Sequence, residues 1–356
     1  MPTTRYRSVL PISYMVPTLY PTAPGAVKPL GGAPLIQFGD PDLQARAQRL
    51  VNVLYWTAMT YANHDGMQDN ETLKVFMAPE FYFRKASNED ALRDRFISGA
   101  DFGSYTEHSR YMLAEALYDA IARSPLFKDW TIVAGSICSA LPRATDARLN
   151  LLNTAIVLRG RRAVHDSSIP YALLEKHYIS TGENVDSRSH ADRDPTTTYS
   201  FRLNPDKGMD NIISWDEMCF GLEVCLDHGM QVVRNNVTTL RQVMGPTVAE
   251  LDLQLVTSCG MSIVGQAVAV KNGALVMLTD GMSYADDNLP EPTFQVGRYD
   301  AATHQVNMIG RDQFVFTELP KTSDYQVLQY ARGRYADLSR RQGVWVSNDR
   351  LPLIIN

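Results

Sequence analysis

Four short, mostly apolar stretches constrain this chain more than anything else in it: Lys74 to Ala78, Trp130 to Cys138, Cys219 to Leu226 and Leu251 to Thr257. A brief apolar run bounded by polar or turn-forming residues suits a strand covered on both faces, and such strands need layers above and below them. Between these runs lie helical patterns. Asp40 is a plausible N-cap with Pro41 at the first helical position, and Leu43, Ala47, Leu50 and Leu54 recur at helical spacing through a segment reading from Asp40 to Asn63. Ser104 with Glu107 makes a capping-box pattern before Tyr111, Ala114, Leu117, Tyr118 and Ile121. After Cys225, the residues Met230, Val233, Val237, Leu240 and Met244 repeat at steps of three and four, so the thiol stands at a strand-to-helix junction.

Further strands are expected around Tyr14 to Tyr20, at Asn153 to Leu158 turning at Gly160 into Arg162 to His165, and at Val264 to Val270. Asn272-Gly273 reads as a type I′ turn leading into Leu275 to Thr279. Strands alternating with helices place the core in the α/β class. No repeat, low-complexity tract or linker divides residues 1–356, so one domain is expected, with a Pro-rich segment over about 1–35 and a C-terminal extension over about 298–356 holding short strands and one helix. The polar stretches 84–103 and 182–212 exceed ordinary loop lengths and are candidates to wall a pocket.

Charge and composition exclude several function classes. At 45% hydrophobic and 21% charged the chain is an ordinary globular one, and a net charge of -5 argues against a dedicated nucleic-acid binder, which needs clustered cation. No apolar run reaches the roughly 20 residues of a membrane helix, and the start lacks a signal-peptide pattern, so a cytoplasmic protein without a membrane partner is expected. The four cysteines, Cys138, Cys219, Cys225 and Cys259, show neither CxxC spacing nor disulfide density and are expected as free thiols. Seven scattered histidines offer no metal-ligand spacing, and neither GxGxxG nor a Walker A sequence occurs, so no metal and no cofactor is expected.

Three polar residues stand at the ends of elements: Glu80 in Met77-Ala78-Pro79-Glu80-Phe81, Lys176 in Leu174-Glu175-Lys176-His177-Tyr178, and Cys225 in Gly221-Leu222-Glu223-Val224-Cys225-Leu226-Asp227-His228. Thiols need a nearby base or cation to react near neutral pH. Glu80 can take the proton, and Lys176 together with the backbone N–H of Leu226 can hold an oxyanion. Glycines flanking the nucleophile by two would make an elbow of the serine-hydrolase kind, but Glu223 and Asp227 occupy those positions. Glu223 is either a partner in the site or a buried acid paired elsewhere. Phe81, Tyr82, Phe83, Tyr178, His228 and the loop 258–262 are candidates for a substrate pocket, with core packing the alternative for each aromatic.

The order acid, lysine, cysteine, with Asn153 to Leu158 and a glycine turn before the lysine, resembles the nitrilase superfamily of carbon–nitrogen hydrolases from the first helix to about Thr279. That resemblance implies a four-layer α-β-β-α sandwich forming homodimers or higher homo-oligomers. It implies Glu80, Lys176 and Cys225 as the catalytic triad, a supporting glutamate at Glu183, and structural anchoring by Asp227. The implied reaction is hydrolysis of a small amide, N-carbamoyl compound or nitrile. Acyl transfer with the same triad and a non-catalytic binding role on the same fold are the alternatives.

Overall fold

In a computed structural model the described residues are 6–18, 25–85, 104–142, 149–160, 170–178, 200–201, 209, 211–245, 248, 250–281, 285–286, 289–290, 294–327 and 342–354. In chain order the principal elements are β1 (Ser8–Met15), α1 (Pro41–Thr60), β2 (Thr72–Met77), α2 (Ser109–Ala122), β3 (Trp130–Pro142), β4 (Leu149–Arg159), β5 (Tyr171–Glu175), β6 (Ile212–Trp215) and β7 (Met218–Val224). They continue with α3 (Leu226–Gly229), α4 (Val232–Met244), β8 (Leu251–Ser258), β9 (Val270–Asp280), β10 (Phe294–Asp300), β11 (Gln305–Met308), β12 (Phe314–Glu318) and β13 (Gly343–Ser347).

Two sheets result. The first runs in spatial order β12, β13, β1, β2, β3, β4, β5, with β1, β2 and β3 parallel and the remaining neighbours antiparallel. In the second the order is β11, β10, β9, β8, β7, β6, with β7, β8 and β9 parallel. The two-residue side-chain period of a strand decides what each face meets. Leu73, Val75 and Met77 of β2 join Phe220, Leu222 and Val224 of β7, Leu253 and Leu255 of β8, and Leu275 and Met277 of β9 in a core between the sheets. On the outer face of the first sheet, Leu10, Ile12, Phe76 and Ile132 pack against Leu43, Leu50 and Leu54 of α1 and Leu113, Leu117 and Ile121 of α2. Each such fully buried leucine contributes about 1.5–3 kcal/mol. Val233 and Val237 of α4 cover Leu251, Val270 and Val276 on the outside of the second sheet. The layers are therefore helix, sheet, sheet, helix, the α-β-β-α order expected.

Asp40 caps α1 as expected, accepting from the N–H groups of Asp42 and Leu43 at 3.0 and 3.1 Å. Other expectations are corrected. The first strand is Ser8–Met15 and ends before Tyr20; Pro11 breaks the apolar pattern that would mark its start in the sequence, while the parallel register with Thr72–Met77 continues through it. Ser104 does not cap α2, which starts at Ser109 with no side-chain cap; Tyr105–Thr106 instead pairs with β3, and Glu107 reaches Arg110 at 2.6 Å. Tyr111 stands 39% exposed, off the packed face. No strand covers Val264 to Ala269, since β9 begins only at Val270, and Asn272-Gly273 is no hairpin turn. Gly273, at φ 77°, sits at an irregularity inside β9, whose partner β8 is parallel, so tertiary pairing overrides the local turn signal. Toward the C-terminus, β10 and β11 complete the second sheet, while β12 and β13 join the first beside β1. The expected return strand at Arg162 to His165 and most of both long loops lie outside the described residues, as does Glu183. None of the described helices is long and apolar enough to cross a membrane.

Candidate active site

Strand direction brings the three polar residues to one end of the molecule. Antiparallel steps from β3 to β4 to β5 return β5 to the direction of β2, so Glu80 after β2 and Lys176 after β5 leave the first sheet at the same edge. Parallel β7, β8 and β9 likewise deliver Cys225, Ser258 and Asp280 at one end of the second sheet. Ligand sites of α/β proteins favour such carboxyl ends. Hydrogen bonds tie the two edges together. The N–H of Glu80 donates to the Ser258 carbonyl at 3.3 Å, Thr257 Oγ1 donates to the Ala78 carbonyl at 2.9 Å, and the N–H of Cys225 donates to the Thr257 carbonyl at 2.9 Å.

Glu80 is fully buried, and Lys176 and Cys225 are 6% and 5% exposed. Lys176 Nζ donates to Glu80 Oε1 at 2.8 Å, and Asn153 Nδ2 donates to the same oxygen at 2.9 Å. Asn153 also receives the Lys176 N–H on its carbonyl at 2.8 Å, so one residue of β4 sets both members of the pair. Lys176 Nζ lies 5.9 Å from the Phe81 ring centroid, and the Arg84 guanidinium carbon 5.0 Å from it. Phe81 adopts φ 63°, its N–H held by Ser136 Oγ at 2.9 Å. That places Phe81 beside the ammonium. Tyr82 and Phe83 turn away into the helix-side core, the Tyr82 ring tilted against Tyr14 at 5.6 Å and edge-on to Phe83 at 4.9 Å between centroids.

Cys225 adopts φ 50° and ψ -108°. A residue with a Cβ pays about 1–3 kcal/mol for such backbone, and the surrounding structure must hold it there. The chain therefore makes a tight turn at the thiol without the flanking glycines of a serine-hydrolase elbow. Its carbonyl receives the His228 N–H at 2.9 Å, and Leu226 opens α3, where the first N–H groups have no intrahelical acceptor. Burial pushes the Cys225 thiol well up and the charge of Glu80 adds to this; the Lys176 ammonium and the Cys259 backbone act the other way. A thiol so placed rests neutral and needs a base at the moment of attack.

Buried acids hold the frame. Asp227 accepts from the N–H groups of His177 and Tyr178 at 2.8–3.1 Å, tying the turn after Cys225 to the segment after Lys176, and burial raises its carboxyl to about 7. Tyr178 is half-buried there. Glu223 faces α4: Oε1 takes the Val233 N–H at 2.9 Å, and Oε2 takes Gln254 Nε2 at 2.8 Å and meets His228 Nδ1 at 2.5 Å. His228 is fully buried, and its Nε2 accepts the Val264 N–H at 2.9 Å, so Nδ1 carries the proton given to Glu223. Both ring nitrogens are engaged, which makes His228 a brace between α3 and the loop after β8 and leaves it no group for a substrate. Sequence reasoning singled out neither Asn153 nor Asp280. Asp280 carried a legible signal, since it ends an apolar run as Glu80 does. A cavity of about 600 Å³ lined by Phe294, Phe314 and Trp345 lies elsewhere, with none of Glu80, Lys176 and Cys225 in its wall.

No family model matches the chain, and no curated protein matches it. Among solved structures it is similar to an amidase from Nesterenkonia sp., at 12% identity and a TM-score of 0.43, over 98% of this chain and 92% of that one. It is also similar to a cysteine-to-alanine mutant of the amidase from Nesterenkonia sp. AN1 in complex with butyramide, at 12% identity, TM-score 0.44 and coverage of 98% and 93%. A third is a cysteine-to-serine mutant of the Nesterenkonia AN1 amidase from the nitrilase superfamily, at 11% identity, TM-score 0.42 and coverage of 96% and 92%.

Proposed function

We propose that the chain is a carbon–nitrogen hydrolase of the nitrilase superfamily that uses Cys225 as nucleophile, Glu80 as general base and Lys176 as oxyanion stabiliser. One observation carries the reading: a buried carboxylate–ammonium pair, Glu80 and Lys176 at 2.8 Å, and a cysteine on strained backbone whose thiol feels both charges. Glu80 takes the Cys225 proton as sulfur attacks the amide carbon, and Lys176 with the Leu226 N–H receives the developing oxyanion. Collapse of the tetrahedral intermediate, with the proton returned to nitrogen, releases ammonia or an amine and leaves a thioester. Water then attacks the thioester with Glu80 again as base, releasing the acid and restoring the thiol. A nitrile would pass through a thioimidate on the same residues.

Amides rank first as substrates, followed by N-carbamoyl compounds and nitriles. The test is ammonia release from a panel of all three, run beside Cys225→Ala with intact-mass detection of an acyl adduct. Release that disappears in Cys225→Ala, with a thioester mass on the wild type, is expected. Silence across the panel with no adduct would sink the hydrolase reading and favour acyl transfer to an amine or a binding role.

A further inference from the structure

Asn153 lies on β4, 7% exposed, and takes no part in the steps above. Pairing of β4 with β5 runs to Thr154 opposite Glu175, and the bond from the Lys176 N–H to the Asn153 carbonyl, 2.8 Å, carries it one residue further. Residues directly opposite each other on neighbouring strands project to the same face. The Asn153 amide and the Lys176 ammonium therefore leave the sheet side by side, and both reach one atom, Glu80 Oε1, at 2.9 and 2.8 Å. A carboxylate oxygen offers about two acceptor directions, so these donors occupy those of Oε1. Glu80 is fully buried, and no bulk water stands ready to replace a donor that is lost. On the other side of Asn153 its strand neighbour Cys138 packs with Phe81 and Cys259, which closes the setting with apolar groups.

We propose that Asn153 is a positioning residue for the general base: its Nδ2 pins Glu80 Oε1, so that Oε2 is the oxygen that takes the proton from Cys225. This rests on the reading of Glu80 as base and adds to it a residue that acts only through Glu80. Lys176 has to divide its ammonium between Glu80 and the oxyanion, whereas the neutral amide stays on Oε1 throughout. It can do so in both protonation states, because Oε1 of an acid protonated on Oε2 is a carbonyl oxygen and still accepts. The bond between the Lys176 N–H and the Asn153 carbonyl is made by backbone, so a substitution at 153 keeps the strand pairing and removes the amide. A donor to a carboxylate favours its charged form, and losing that donor makes the carboxyl bind its proton at higher pH. The charged and titratable groups around Glu80 are Lys176, Cys225 and Cys259, with Asp280 behind them on Ser258, and Arg84 and Cys138 against the Phe81 ring. Substituting Asn153 by an uncharged residue alters none of these.

The experiment is steady-state ammonia release from acetamide and from the fastest amide of the panel, measured against pH for wild type, Asn153→Ala, Asn153→Leu and Asn153→Gln. Asn153→Leu fills the space without a donor and carries the test should Asn153→Ala lose its cooperative melt. In both, kcat is expected to fall by about 10- to 100-fold, the worth of a hydrogen bond to a charged group, while KM stays close to wild type. The acid limb of kcat/KM, which reports the base of the free enzyme, moves to higher pH by about one unit. Asn153→Gln keeps an amide on a longer stem and recovers part of kcat and of the limb position. A merely structural role would lower the amount of active protein and leave the limb where it was. Wild-type kcat in the folded variants, an unmoved acid limb, or Asn153→Gln no better than Asn153→Leu overturns the positioning role and leaves the hydrolase reading standing. A wild type that releases ammonia from no amide overturns the hydrolase reading, and this role with it.

Discussion

Lys176→Met tests whether the buried ion pair is one energetic unit. The side chains of Lys176 and Glu80 are 2% and 0% exposed and meet at 2.8 Å, so removing the ammonium strands a carboxylate with no water to solvate it. Breaking a buried pair from one side costs about 3–5 kcal/mol, whereas replacing both partners by uncharged groups of similar volume is often close to neutral. Methionine keeps the length of the lysine stem, which confines the change to charge. With a urea slope of about 3 kcal/mol/M, Lys176→Met should lower the unfolding midpoint by about 1–1.7 M. Glu80→Gln should also destabilise, while Glu80→Gln/Lys176→Met should recover at least about 2 kcal/mol relative to the sum of the singles. Urea unfolding of the four proteins, followed by intrinsic fluorescence at pH 7.5, measures the coupling. A Lys176→Met cost below about 1 kcal/mol with additive singles would refute the reasoning, because it would mean the pair is solvated.

Two further perturbations follow from the packing. Asp227 binds a proton more tightly in the folded chain, near pH 7, than in the unfolded one, near 3.9, so the folded state loses stability as pH rises from about 4 to about 7. That penalty is of order 4 kcal/mol, fully present above pH 7 and absent below pH 4; Asp227→Asn should narrow the difference between urea midpoints at pH 5 and pH 8, and an equal difference in both proteins would remove Asp227 as its source. Gly221→Ala would place a Cβ 2.7 Å from Val233 Cγ1 and 3.1 Å from Leu251 Cδ1, prying α4 off the second sheet. A loss of about 1–3 kcal/mol in the same unfolding assay is expected, and wild-type stability would show that α4 yields freely.

Glu80 and Cys225 were legible because each ends a run of apolar residues, and the end of a buried strand is where a polar side chain can leave the core. Lys176 was legible only through its order between them. Asn153, which hydrogen-bonds Glu80 from 73 residues away, read as an ordinary strand residue, because nothing local marks a side chain whose partner is so remote. The turn signal at Asn272-Gly273 misled for the converse reason. Its local preference is real, yet parallel pairing along β8 takes up the glycine as an irregularity and continues the strand.

Hydrophobic period and helix capping act between near neighbours, so the chain alone determined which segments became buried strands, where α1 begins, and which polar residues stand at strand ends. Distances between those ends depend on sheet order and strand direction, which are set by contacts far apart in the chain. Only the tertiary structure decided that β5 runs back toward Glu80, that Glu223 and His228 brace α4 and the loop after β8, and that the segment from Ser258 to Met261 winds around the Asp280 carboxylate. The strained backbone of Cys225 belongs to the same class, since a conformation unfavourable for the isolated residue persists only when the packed surroundings hold it.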